Sequence, residues 1–224
     1  MIMISKSSNT KLDKEVADLL LSIGAVTFRF DPPYTFTSGL KSPIYLDNRM
    51  IMSYPEVREK IVAAYIQILL THIRVENVNV LSGTATAAIP QTAWIAEKLN
   101  LPMVYVRPKT KEHGKEKQIE GTFPKGSKVV IIEDHISTGA SSITNARVIR
   151  SEGGKAEYCI ATTTYETKAS IKNFRKGKIK LIALTTGKHI VNEAEKRKML
   201  TTKEAKLVHD WLKDPVSWYK KHYG

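Results

Sequence analysis

Between positions 129 and 142 the chain reads VVIIEDHISTGASS, which sets two carboxylates and a hydroxyl-rich turn directly behind four β-branched apolar residues. Val129, Val130, Ile131 and Ile132 offer no polar side to water, and this predicts a strand buried on both faces. Glu133 and Asp134 then emerge at its carboxyl end. From Ser137 through Thr138, Gly139, Ala140 and Ser141 to Ser142 every side chain is small. Backbone N–H groups can therefore approach an anion closely, with the positive end of the following helix pointing at it. The hydroxyls of Ser137, Thr138 and Ser141 add donors. Ile143, Ala146 and Ile149 recur at helical spacing before Gly153 and Gly154, so a helix is expected over roughly 141–151. The turn is neither GxxxxGK[ST] nor GxGxxG, which argues against a P-loop nucleotidase and against a dinucleotide site. Acids just before an amide nest would repel a nucleotide's phosphate chain but accept hydrogen bonds from a ribose diol. The pattern describes a cradle for a sugar phosphate, gripped in the crook 134–142.

A second set of chemically capable residues is cationic. Arg107, Lys109, Lys111, His113, Lys115 and Lys117 crowd a short stretch after an apolar run, whereas Lys172, Arg175, Lys176, Lys178 and Lys180 are spread around a helix and a turn. The dispersed group reads as solvated surface. The crowded one, with little apolar content and Gly114, reads as a loop that stays open until an anionic substrate draws it closed. A net charge of +13 admits a nucleic-acid surface as well. A helix-turn-helix unit would be needed for a repressor, and the first fifty residues leave no room for one.

The elements that must hold these residues follow from periodicity. Val16, Leu19, Leu20 and Ile23 form one helical stripe, and Val57, Ile61, Tyr65 and Ile68 another. Short apolar runs at 78–81, 103–106, 129–132, 156–163 and 179–185 alternate with helical segments such as 87–99, which predicts an α/β fold with a parallel sheet flanked by helices. In such sheets binding sites gather beyond the carboxyl ends of the strands. Residues 193–212 read as a charged, largely helical tail. Residues 1–52 are expected to form a helix and a small hood over the rim, and 53–224 the core with its tail, as one compact unit.

The chain's 224 residues and 42% apolar content suit one substantial core. No apolar run approaches the roughly 18 residues that span a bilayer, and 1–11 lacks a signal core, so a cytoplasmic protein without a membrane partner is expected. Cys159 is the only cysteine. It cannot form an intramolecular disulfide and reads as an inert core thiol. His72, His189, His209 and His222 lack metal-ligand spacing and are assigned no role.

The run 129–142 resembles the phosphoribosyl diphosphate (PRPP) motif of type I phosphoribosyltransferases. Two further segments narrow the resemblance. TSGLKSPIYLDNR at 37–49 is similar to the SGxKSPxYxDxR signature of the orotate phosphoribosyltransferase family, and RPKTKEHG at 107–114 to that family's RxKxKxHG loop. SGTATAAIP at 82–90 falls where the family has its pyrophosphate-binding loop. The resemblance implies transfer of phosphoribosyl from PRPP to orotate. Asp134 joins Lys111 and His113 as catalytic. Arg107, Thr84, Glu133, His135, Ile136 and the turn Ser137, Thr138, Gly139, Ala140 and Ser141 would bind substrate, and Lys41 and Tyr45 line the base pocket. It also implies Mg2+ held mainly by PRPP rather than by protein ligands, and a homodimer in which loop 107–118 closes over the neighbouring subunit's site.

The chemistry fits those residue types. Breaking the anomeric C–O bond builds positive charge on the sugar and releases a polyanion, so carboxylates belong near the ribose and cations near the leaving group. His113 could hand a proton to the departing pyrophosphate. Some features depart from the family pattern. Thr37 stands where some relatives bind PRPP with lysine, Pro108 replaces a second loop lysine, and the segment Thr164, Tyr165, Glu166 has no arginine where some hold orotate with one. Ala88 and Ala140 occupy common glycine positions. His135 stands where relatives carry an apolar residue. Purine or uracil salvage transferases share the fold, but they are not expected to share the 37–49 signature.

Overall fold

The computed structural model describes residues 10–108 and 118–224. In chain order, helix α1 (Thr10–Ser22) leads into four short strands, β1 (Val26–Phe28), β2 (Tyr34–Thr35), β3 (Lys41–Ser42) and β4 (Ile44–Leu46), and a 3-10 turn. Pro55 opens helix α2 (Pro55–Ile68), where its missing N–H costs nothing. Strand and helix then alternate: β5 (Val80–Thr84), α3 (Ala88–Leu99), β6 (Met103–Val106), β7 (Ile119–Glu120), β8 (Lys128–Ile136), α4 (Ala140–Ser151), β9 (Lys155–Thr164), α5 (Lys168–Gly177) and β10 (Lys180–Thr186). Three helices follow, α6 (Gly187–Lys196), α7 (Thr202–Lys213) and α8 (Pro215–Tyr223).

The main sheet has the order β10-β9-β8-β5-β6-β7, parallel except for β7, which runs antiparallel on the β6 edge. From β5 the chain steps outward to β6 and then crosses back to β8 on the other side. Strand order therefore reverses between β5 and β8, where α/β sheets open a crevice for ligands. Side chains alternate between two apolar layers. Leu81, Val130, Ile132, Ile160 and Ile182 face α1, α2, α3, α6 and α7, whereas Val80, Val104, Val129, Ile131 and Cys159 face α4 and α5. Burial raises the Cys159 thiol well above its ordinary pKa, which keeps it a protonated, unreactive hydrophobe. Among the described residues no helix is long and apolar enough to cross a membrane.

Three features differ from the periodicity reading. Strand β8 runs four residues past Ile132, so the acid pair lies within the strand's last turn of pleat, paired to β9 at Glu133 and His135. The charged tail is part of the core: Trp211 and Trp218 are each 1% exposed, and the polar residues around them occupy the outer helical faces. The edge strand β7, two residues long, carries too little pattern to be seen in sequence.

Candidate active site

The crook after β8 is shaped by a glycine cap and by side chains of α5. Gly139 is the N-cap of α4 with φ +76°, a left-handed conformation that glycine tolerates best, and a Cβ there would come 2.5 Å from the ring of Phe174. Its carbonyls are held from behind. Thr167 Oγ1 donates to Ser137 O at 2.7 Å, and Asn173 Nδ2 donates to Thr138 O at 2.9 Å. In a planar trans peptide the next N–H points opposite to the carbonyl. The amides of Thr138 and Gly139 are thereby turned away from α5 and into the crook, where the N-terminus of α4 adds its positive end. Ser137, Thr138, Ala140 and Ser141 stand partly or fully exposed around it, while the Ile136 side chain is buried in the apolar layer behind.

The two acids play different parts. Glu133 is only 4% exposed and accepts from Ser142 Oγ at 2.8 Å and Ser141 Oγ at 3.2 Å. It ties the far end of the crook to the strand. Burial and the neighbouring Asp134 charge push its pKa up to about 8. Asp134 is half-buried, and desolvation raises its carboxyl too. It is the acid of the pair nearer to solvent at the rim.

Buried polar side chains hold the rim in register. Asn145 of α4 accepts from Ser82 Oγ at 2.9 Å and donates to Gly83 O and Thr84 Oγ1 at 3.2 and 3.1 Å, strapping the crook's helix to the end of β5. Thr84 is itself buried. The Tyr65 hydroxyl lies 2.7 Å from Glu133 O, 2.8 Å from Thr162 Oγ1 and 3.1 Å from Gln91 Oε1. Asn48 brings the hood in, donating to Asp134 O at 2.7 Å and Thr163 Oγ1 at 2.8 Å. The signal for Asn145 was present: a polar residue on the buried stripe of a helix must find partners.

Beyond the crook lies a cavity of about 690 Å³ whose walls include Tyr34, Phe36, Tyr45 and Leu46 from the hood and His135, Ser137 and Tyr165 from the sheet. Tyr45, at 39% exposure, is one of its walls. Lys41 does not line it; its amine donates to Thr35 Oγ1 at 2.8 Å and lies over the Tyr219 ring. Arg49 is engaged by Asp47 in a two-pronged pair at 2.7 and 2.8 Å. His135 is held neutral, because burial lowers its pKa to about 3. His135 Nδ1 and Thr163 Oγ1 lie 2.8 Å apart in a hydrogen bond whose direction follows the ring tautomer.

The cationic loop springs from the β6–β7 pair. Arg107 N donates to Gln118 O at 2.9 Å, Gln118 Nε2 returns to Arg107 O at 3.2 Å, and Arg107 Nε meets Glu120 Oε1 at 3.2 Å. Both ends of the loop are thus zipped together at the rim. Lys111 and His113 lie outside the described residues.

No family model matches the chain. Whole-chain similarity is nonetheless extensive. The chain is 42% identical over 214 residues to an orotate phosphoribosyltransferase of Coxiella burnetii, covering 91% of this chain and 97% of that protein. It is 43% identical over 213 residues to the orotate phosphoribosyltransferase of Enterococcus faecalis, covering 94% and 100%. Among solved structures, the orotate phosphoribosyltransferase of Aeropyrum pernix superposes with a TM-score of 0.71 at 28% identity, over 83% of this chain and 99% of that one. With identity above 40% along nearly the full length of both proteins, and the expected motif loops on one rim of a type I phosphoribosyltransferase sheet, the chain belongs to the orotate phosphoribosyltransferase family.

Proposed function

We propose that this chain transfers the 5-phosphoribosyl group from PRPP to orotate, giving orotidine 5′-monophosphate and pyrophosphate in pyrimidine nucleotide synthesis. One observation carries the reading. In a chain of this family, the amide crook shares Ser137 and Thr138 with the hood cavity and follows β8 where strand order reverses beside β5.

The amides of Thr138 and Gly139, with the hydroxyls of Ser137, Thr138 and Ser141, take the 5′-phosphate. Asp134, with Glu133 anchored behind it, faces the ribose, where a carboxylate favours the positive charge that develops as the anomeric C–O bond breaks. The new bond forms from the ring nitrogen of orotate, and the electron pair leaves with pyrophosphate. Thr84 and its neighbours, Arg107 at the loop base, Lys111 and His113 receive that polyanion. His113 supplies a proton to it. Tyr45 and His135 stand beside the base, and Lys41 supports the hood.

The residues present fit a magnesium ion that arrives with PRPP. Mg2+ commonly takes its oxygens from substrate phosphates, one or two carboxylates and water. When bound it neutralises the leaving diphosphate; Asp134 is the protein carboxylate placed to assist. The reading extends to a cytoplasmic homodimer whose 107–118 loop closes over the neighbouring site, and to a hood of 1–52 on a core of 53–224.

The test offers orotate, uracil, hypoxanthine and adenine separately with PRPP and magnesium, and follows pyrophosphate release. Turnover with orotate alone is expected; turnover of a purine or uracil without orotate overturns the assignment. A nucleic-acid gel shift without base consumption would favour a regulator instead.

A further inference from the structure

We infer that Trp211, on helix α7, is a positioning residue for base binding that fixes the gap between the hood and the sheet. The inference rests on the proposed site for orotate in the hood cavity. The outer hood ribbon, β2 with β3, consists of two residue pairs, too short to be stable alone. Yet it supplies Tyr34, Thr35 and Phe36 to the cavity wall.

Besides contacts within the hood, helices α7 and α8 hold it. Trp211 Nε1 donates to Lys41 O at 2.8 Å, and the indole meets Phe36 of the hood and Tyr165 at the end of β9 edge-on, with centroids 6.1 and 5.0 Å apart. Phe36 of the hood and Tyr165 after β9 both line the cavity. The indole therefore stands behind two of its walls at once. A second tether lies further along: Tyr223 hydroxyl donates to Phe30 O at 2.7 Å, and Trp218 Nε1 donates to Leu207 O at 2.9 Å, which locks α8 onto α7. Edge-on aromatic pairs of this kind resist sliding as well as separation.

The phosphate crook is held by other residues, Thr167 and Asn173 on its carbonyls and Glu133 on its hydroxyls. Loosening Trp211 should let the hood sample wider positions and reduce the fraction of molecules competent to bind the base, leaving PRPP binding in place. A purely structural tryptophan would not separate the two substrates.

The test is steady-state kinetics of full-length Trp211→Phe, which keeps an aromatic ring and removes the donor, with orotate and PRPP varied in turn. The orotate KM should rise about five- to tenfold, the equivalent of one lost hydrogen bond, while the PRPP KM stays within about twofold. Equal changes in both constants, or a fall in kcat alone, overturn the inference. Should that variant fail to fold, Tyr223→Phe carries the same test at the second tether, with an expected rise of about two- to threefold in the orotate KM only; no selective rise overturns it. Wild-type protein that does not turn over orotate would instead remove the functional reading beneath.

Discussion

Glu133 was legible in the sequence as one of two acids before a phosphate turn, but its partner atoms were not. Its position inside β8 turns the side chain toward α4, where Ser141 and Ser142 meet one carboxyl oxygen, while Asp134 is left at the rim. Because its folded pKa lies above the ordinary 4.5, at about 8, the protonated form favours folding. That contribution is complete below pH 4.5 and is lost as pH rises through 8. The ligand-free wild type should therefore lose thermal stability over this window relative to Glu133→Gln, which keeps the shape and does not titrate. Parallel Tm-versus-pH curves for the two proteins would contradict the assignment. Gly139 offers a steric counterpart. With a left-handed φ and Phe174 in the path of any Cβ, Gly139→Ala should cost about 1–3 kcal/mol in denaturant unfolding and weaken PRPP binding. An unchanged unfolding midpoint would show that the crook can relax.

At the scale of elements, the strands and helices that carry the motifs followed from period alone, because a buried parallel strand is a continuous apolar run and a flanking helix keeps a stripe. The runs 103–106 and 129–132 were placed this way. The cross-links between elements were not, since they depend on register between segments far apart in sequence. Asn145 is the instance that matters most. It satisfies Ser82, the Gly83 carbonyl and Thr84 at once, so it couples the helix behind the phosphate crook to the loop after β5. Asn145→Ala orphans these buried groups and should lower stability by about 2–4 kcal/mol, with a raised PRPP KM in the same protein. A loss under about 0.5 kcal/mol would mean that water replaces the amide. Residues 193–212 were legible as largely helical, but their place in the core was not: the charged outer faces hid Trp211 and Trp218, each an isolated aromatic whose burial depends on the hood and helices it packs against.

For the whole molecule, the placement of motif loops on one rim was predictable, because open α/β sheets present their crevice where strand order reverses. Assembly belongs to this scale and has its own test. If the loop bearing Lys111 serves the neighbouring site, mixing inactive Lys111→Ala and Asp134→Asn proteins and allowing subunits to exchange yields mixed dimers with one intact site. About a quarter of wild-type turnover should return, from half the dimers each having one working site of two. No recovery despite demonstrated exchange places the loop over its own subunit's site. One rim should seat a phosphate in the crook and a base in the hood cavity, and a crystal structure with orotidine 5′-monophosphate is the decisive measurement. The 5′-phosphate should lie within hydrogen-bond distance of the Thr138 and Gly139 amides, with Asp134 beside the ribose and the pyrimidine among Tyr45, His135 and Tyr165. A nucleotide bound elsewhere, with the crook left to solvent, would contradict it.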